Sequence, residues 1–198
     1  MKSDKTLSYY NTNAQEFIQN TLDVDFSYVQ NKFLSRLEAN DSILDFGCGS
    51  GRDTKYFLDK GYRVEAIDGS KELCKLASEY TGIEVKHMYF HELREIEKYE
   101  AIWACSSILH LPYKELMDVM KKMLVALKNN GLIYTSFKYG TFEGERNGRY
   151  FTDMTEESLQ KLLDAVGGII VEELWVTADV RPNRGEEKWL NLLLRKKS

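Results

Sequence analysis

The sequence predicts an α/β protein: a mostly parallel sheet with helices on both faces. Three observations carry the prediction. Short apolar runs alternate along the chain with stretches of helical periodicity, as strand–helix–strand units require. The first apolar run, Ile43-Leu44-Asp45-Phe46, breaks into Gly47-Cys48-Gly49-Ser50-Gly51 before a helix-forming segment. A second acid, Asp68, closes the next apolar run 21 positions beyond Gly47. That separation brings a carboxylate to a ribose in such units.

Composition sets the outer bounds. A chain of 198 residues is about one domain and long enough to bury a substantial core. With 43% apolar residues and two prolines, it is neither disordered nor fibrous. A net charge of −4 and a pI near 5.5 argue against a broad nucleic-acid surface, while leaving room for a local basic pocket. Cys48, Cys74 and Cys105 are scattered without a CxxC pair, and the three histidines lack ligand spacing. A reducing compartment and no metal site are expected. The polar opening Met1-Lys2-Ser3-Asp4 and the lack of a long apolar run predict a cytoplasmic protein without a membrane span.

Residues 1–40 are polar with interspersed aromatics. Phe26, Val29, Phe33 and Leu37 recur at spacings of three and four, so a helix is expected there. The stretch Tyr9-Tyr10-Asn11-Thr12-Asn13-Ala14 has two readings: an aromatic staple on the core surface, or a segment that reaches the site. Strand one is expected over Ser42–Asp45. The three alternating glycines then let a ligand lie against bare backbone at a helix N-terminus. The helix Arg52–Lys60 follows and is stopped by Gly61. A dinucleotide site needs a small residue at position 52, and Arg52 would obstruct the close helix approach. An NAD-dependent oxidoreductase is therefore disfavoured.

Strand two is expected over Arg63–Asp68. The Asp68 carboxylate can accept from two vicinal hydroxyls; alternatively it caps a helix. Gly69 follows, and Ser70 is placed to cap the helix Lys71–Tyr80. Strand three spans Ile83–Tyr89 and leads into a solvated stretch from His91 to Glu95. Strand four is Glu100–Ala104, and Cys105–Pro112 forms the loop beyond it. Ligands in open α/β sheets gather at the carboxyl ends of strands where the order reverses, here between strands one and four. Ser106 and His110 should thus face the reacting group. His110 is the candidate acid/base, with a pKa tunable near neutrality; a loop-shaping histidine is the alternative.

The helix Lys114–Leu127 should bury Leu116, Met117, Met120, Leu124 and Leu127, with Lys128-Asn129-Asn130-Gly131 as its stop. Strand five is Leu132–Phe137. A polar loop then runs from Lys138 to Tyr150, followed by a helix from Thr155 to Val166 with acids in its first turn. Strand six is Ile169–Trp175, and a hairpin-like connection over Asp179–Gly185 leads to the last strand, Trp189–Leu194, entering antiparallel. Lys138, Arg146, Arg149, Arg181 and Arg184 border the carboxyl side of the sheet. Arginine forks bind oxyanions. Alternatively, Glu143, Glu145, Asp179, Glu186 and Glu187 neutralise these cations in surface pairs worth about 0–1 kcal/mol each.

The pattern Asp45-x-Gly47-x-Gly49-x-Gly51 with Asp68 resembles the S-adenosylmethionine (SAM) site of class I methyltransferases. The continuation Gly49-Ser50-Gly51-Arg52-Asp53 is similar to small bacterial methyltransferases related to tellurite-resistance proteins. This resemblance implies a single Rossmann-like domain over 1–198, with seven strands, the last antiparallel, and residues 1–40 as a helical lid from which Tyr10 reaches the site. It further implies SAM as cofactor and S-adenosylhomocysteine (SAH) as product. The glycine loop, with Cys48 and Arg52, would cradle the methionine half and Asp68 would grip the ribose, beside Gly69, Ser70 and Ala104. Relatives carry an acid past strand three facing the adenine amino group. Tyr89-Phe90 occupy that place here and offer aromatic faces instead.

The expected reaction is methyl transfer to a small molecule, an anionic one among the candidates, with Tyr10, Ser106, Lys138, Arg146, Arg149 and Arg181 around the acceptor. A monomer or homodimer is expected. A non-catalytic SAM-binding module would carry the same cofactor motifs. A nucleic-acid methyltransferase is disfavoured by charge, and by Ala104-Cys105-Ser106-Ser107 where amino-methylating DNA enzymes carry Asn-Pro-Pro-Tyr.

Overall fold

A computed structural model describes residues 3–181 and 184–198. Three helices come first: α1 (Ser3–Thr12), α2 (Ala14–Thr21) and α3 (Ser27–Leu34). The alternating part follows as β1 (Ser42–Phe46), α4 (Arg52–Asp59), β2 (Arg63–Asp68), α5 (Lys71–Thr81), β3 (Val85–His87), β4 (Tyr99–Ala104), α6 (Tyr113–Ala126) and β5 (Leu127–Lys138). Then come β6 (Glu143–Arg146), β7 (Arg149–Thr152), α7 (Glu156–Val166), β8 (Ile169–Ala178) and β9 (Lys188–Lys196). Seven strands form one sheet in the order β3-β2-β1-β4-β5-β9-β8. Strands β1 to β5 run parallel, and β9 lies antiparallel between β5 and β8. The expected mostly parallel sheet and antiparallel last strand are both present.

The central strands are near-continuous apolar runs because both faces are covered. Successive side chains alternate between two cores. Leu44, Ile102 and Ile133 face α6 and α7 with Met120 and Leu162. Ile43, Trp103 and Tyr134 face α3 and α4 with Phe33 and Phe57. Trp103 stacks on Tyr134 at 4.1 Å and meets Phe33 and Phe57 edge-on at 5.0 and 5.1 Å. Each such pair adds roughly 0.5–1.5 kcal/mol beyond its burial.

Several boundaries differ from expectation, each for a local reason. The strand expected over Ile83–Tyr89 is pared to Val85–His87, because the Glu92 carboxylate accepts from the Tyr89 N–H at 2.8 Å and turns the chain into a short 3-10 segment. Helix α6 buries Leu116, Val119, Met120, Met123 and Ala126; Met117 and Leu124 sit half-buried at the rim, and Leu127 opens β5 opposite Tyr99. The expected stop at Lys128–Gly131 lies inside that strand, where Asn130 takes up the turn at φ +58, a conformation asparagine tolerates. The expected polar loop contains a hairpin, β6 paired with β7. Its tip, Asn147-Gly148, has φ +51 and +75, the positive values a two-residue hairpin turn demands. The connection over Asp179–Gly185 includes Pro182 and Asn183, outside the described residues. Among those described, no helix is long and apolar enough to cross a membrane.

Candidate active site

The carboxyl ends of β1, β2, β4 and β5 open into a cavity of about 1160 Å³, large enough for two small molecules side by side. Its floor is the bend after β1. The Gly47 and Cys48 N–H groups donate to the Ile67 carbonyl, and the Gly49 N–H donates to Asp68 at 2.9 Å. The first turn of α4 has no side-chain cap, so its N–H groups face outward unclaimed by any side chain.

Asp68 ends β2 at the edge of this floor. One carboxylate oxygen accepts from Gly49 N–H and the other from Ser70 N–H at 2.8 Å. The Gly69 N–H adds a further hydrogen bond, and a carboxylate has about four acceptor positions, so Asp68 is not fully claimed by the backbone. Burial raises its pKa, opposed by the Ser70 and Gly49 hydrogen bonds. Ser70 caps α5 through Leu73 N–H. Asp45 lies beneath the floor, outside the cavity lining, and accepts from Thr54 Oγ1 at 2.5 Å. Burial, reinforced by Asp53, pushes its carboxyl well up.

The glycines serve different neighbours. A side chain at Gly51 would strike Thr81 at 2.8 Å, so this residue lets α4 lie close to α5. At Gly47 it would strike Ser107 at 2.6 Å and Phe90 at 3.0 Å; at Gly49, Phe17 at 3.0 Å; at Gly69, Leu7 at 2.7 Å. Leu7 belongs to α1 and Phe17 to α2, so the N-terminal helices lie directly over the glycine bends. They are fastened there by Thr6 Oγ1 accepting from Tyr150 N–H at 2.9 Å, and by a hydrogen bond between Ser70 Oγ and Asn11 at 2.8 Å.

Tyr10 hangs from this roof into the cavity. His110 Nδ1 is 2.6 Å from the Tyr150 carbonyl, which can only accept. Nδ1 therefore carries the hydrogen, and Nε2 accepts from the Tyr10 hydroxyl at 2.8 Å. Burial lowers the His110 pKa to about 4, with Arg149, Arg146 and Lys138 adding to the effect and the Tyr150 hydrogen bond opposing it. At that value His110 is neutral at pH 7 and weakly basic, and its bond to the Tyr150 carbonyl fits the loop-shaping alternative. Burial also raises the Tyr10 pKa, against the pull of Arg149.

Ser106, at φ +50, donates its N–H to Ser136 Oγ at 2.9 Å. Burial holds Cys48 well above its usual value and Cys105 at about 12, so both are inert thiols at neutral pH. Among the described residues, no group of three His, Cys, Asp or Glu side chains is arranged to hold a metal ion.

Of the residues singled out from sequence, Gly47, Cys48, Gly49, Arg52, Asp68, Gly69, Tyr89 and Phe90 line the cavity. So do Tyr10, Ser106, His110, Lys138, Arg146, Arg149 and Arg181. Asp45, Gly51, Ser70 and Ala104 do not; they support the lining from behind. The basic residues mostly meet acids. Lys138 pairs with Glu187, Arg181 with Asp179, and Arg146 forms a bidentate pair with Asp153.

Sequence reasoning missed Phe17, Ser136 and Asp53. Asp53 is a buried hub: it accepts from Gln30 at 2.7 Å, Trp103 at 2.8 Å and Arg52 at 2.8 and 3.0 Å. Burial opposes the Arg52 charge, and Asp53 more than offsets it. The signal available for Asp53 was its place directly after the glycine loop, in the first turn of a helix.

A methyltransferase domain model matches residues 43–131, the segment carrying the floor, Asp68 and the loop after β4. The chain carries a class I SAM-dependent methyltransferase domain. An uncharacterised methyltransferase of Staphylococcus carnosus is 25% identical over 141 residues, covering 68% of this chain and 67% of that protein. The N-terminal Xaa-Pro-Lys N-methyltransferase 2 of Danio rerio is 30% identical over 151 residues, 72% of this chain. The methyltransferase domain described here spans about half of that protein's length, 52%. Among solved structures, the 1,6-didemethyltoxoflavin-N1-methyltransferase of Burkholderia thailandensis, with 1,6-didemethyltoxoflavin and SAH bound, shares the fold. Its TM-score is 0.81 at 20% identity, over 99% of this chain and 89% of that one.

Proposed function

We propose that the protein transfers a methyl group from SAM to a small, anionic acceptor. The observation that carries the reading is Asp68 at the lip of the bare-backbone bend. Its carboxylate lines the cavity, and a carboxylate can accept from the paired hydroxyls of a ribose. Gly47 to Ser50 would lie along the methionine half, and Leu73, Tyr89 and Phe90 line the cavity beside Gly69, where a flat base can rest.

SAM supplies, when bound, a methyl group already activated on a sulfonium. The protein's share is alignment and exclusion of water. Leu7 and Phe17 roof the floor, Tyr10 lines the cavity beside them, and His110 holds the Tyr10 hydroxyl in place. With a pKa of about 4, His110 is a poor general base for a hydroxyl or ammonium proton. That supports an acceptor whose nucleophile arrives with no proton to remove; Arg149, in the cavity lining with no carboxylate partner among the described residues, is the reason to favour an anion.

Isothermal titration with SAH, and separately with NAD, tests the cofactor. The expected result is saturable heat with SAH and none with NAD. No heat with SAH, or heat with NAD alone, contradicts the reading.

A further inference from the structure

We infer that Arg149 anchors the carboxylate of a flat methyl acceptor, an assignment that rests on the methyl-transfer reading above. Five cations, Lys138, Arg146, Arg149, Arg181 and Arg184, stand at the end of β5, on the β6–β7 hairpin and beyond β8. Lys138, Arg146 and Arg181 each hold a carboxylate, and Arg184 lies 3.9 Å from Glu187. Arg149 alone of the five has no carboxylate partner among the described residues. Its Nε is buried and finds no hydrogen-bond partner. Native proteins seldom leave a buried donor unpaired, since its desolvation is uncompensated. A donor left so in the wall of a large cavity is placed for something that enters the cavity.

The hairpin builds this placement. The Asn147-Gly148 turn presses its tip against α1, where a side chain at Gly148 would meet the Tyr9 ring at 3.2 Å. The Arg149 guanidinium then lies over the Tyr9 ring at 4.4 Å and near the Phe151 ring at 5.3 Å. Stacking on aromatic faces fixes the plane of the fork; a side-chain hydrogen bond to Tyr10 uses part of it, and Nε is left unpartnered. A planar fork suits a carboxylate, which accepts two parallel N–H bonds. One unmatched positive charge also suits a monoanion better than a phosphate dianion.

The neighbours set the rest of the acceptor. The Tyr10 ring, whose hydroxyl engages His110, is 5.8 Å from the guanidinium. The anchor thus borders the side of the cavity where Tyr10 meets His110. Phe151 packs edge-on against His110 at 4.8 Å, and Leu109 and Leu111 continue the same wall. That wall is apolar and suits a flat ring.

The test is calorimetric titration of the SAH-saturated protein with benzoate, salicylate, benzamide and phenyl phosphate. Wild type, Arg149→Gln and Arg149→Lys are compared. At least one carboxylate should bind wild type, benzamide should not, and Arg149→Gln should weaken the carboxylate tenfold or more. Arg149→Lys should fall between, and SAH affinity should stay within twofold in both variants, which also shows that they fold. Equal carboxylate binding in Arg149→Gln overturns the assignment, as does a failure of both carboxylates to bind wild type while SAH does. Preference for phenyl phosphate overturns the monoanion. Loss of SAH binding in a folded Arg149→Gln would move the anchored anion from acceptor to cofactor. Failure of wild type itself to bind SAH would instead sink the methyl-transfer reading beneath it.

Discussion

Tyr10 donates its hydroxyl hydrogen to His110 Nε2 across 2.8 Å, joining the first helix of the chain to the loop after β4. His110 is fixed from the other side by the Tyr150 carbonyl. A roof helix, the β4 loop and the β6–β7 hairpin therefore meet at one imidazole. Removing the Tyr10 hydroxyl should disturb the reaction more than cofactor binding. Tyr10→Phe is expected to lower kcat about 10–100-fold, the scale of leaving the buried His110 Nε2 without its donor, with SAH affinity unchanged. Steady-state kinetics alongside SAH titration would check it; an equal loss in both would make Tyr10 a cofactor contact.

The same imidazole makes stability depend on pH. Its pKa is about 4 in the folded protein and about 6.5 in an unfolded chain. Between these values the unfolded state binds the extra proton, so acid favours unfolding. Stability is full above pH 6.5 and is lost as pH falls towards 4. For His110 the loss from pH 7 to pH 5 should be about 1–2 kcal/mol, the lower end reflecting its residual solvent contact. Urea unfolding at both pH values should show a smaller drop in His110→Gln than in wild type; the same drop in both would refute it.

Asp68 serves the fold as well as the proposed ribose. Its carboxylate accepts the Gly49 and Ser70 N–H groups. Asp68→Ala should weaken SAH by about 10–100-fold, the scale of one or two hydrogen bonds to a charged group. It should also lower the melting temperature, because the Gly49 N–H is left unpaired. Unaltered SAH affinity in the folded variant would remove Asp68 from the site.

Gly51 offers a purely structural prediction. Its φ is +80, and an added methyl would strike Thr81 at 2.8 Å and Ala77 at 3.2 Å. Gly51→Ala should destabilise by about 1–3 kcal/mol through strain and overpacking, read as a lower urea midpoint. A neutral result would mean that α4 and α5 can separate at no cost.

The sheet was legible in the sequence because its signals are local and strong. The apolar run of β1 ends in three glycines, and Asp68 ends the next run at the βαβ distance. The roles of the individual glycines were not legible. Gly51 answers to Thr81 and Gly47 to Ser107, residues far along the chain whose proximity only the fold creates. The β6–β7 hairpin was missed although Asn147-Gly148 is the strongest short hairpin signal. β6 reads Glu-Gly-Glu-Arg and β7 Arg-Tyr-Phe-Thr with three consecutive buried residues, so alternation of apolar and polar residues, the usual second signal, is faint there. His110 was legible as a candidate but its basicity was not, because its proton affinity is set by burial and by cations from two other segments. Likewise, surface pairing of the basic residues was foreseen in kind. That Arg149 is the exception among the five depends on where the hairpin tip lands.

The central claim is that the bend after β1 and Asp68 together hold SAM. A crystal structure of the protein grown with SAH tests it most directly. The account predicts both ribose hydroxyls on the Asp68 carboxylate, the amino-acid end along Gly47–Ser50, and the sulfur facing Tyr10 and Ser106. Ordered SAH bound away from Asp68, or Phe17 and Phe90 still packed against Gly49 and Gly47 at saturating SAH, would contradict it.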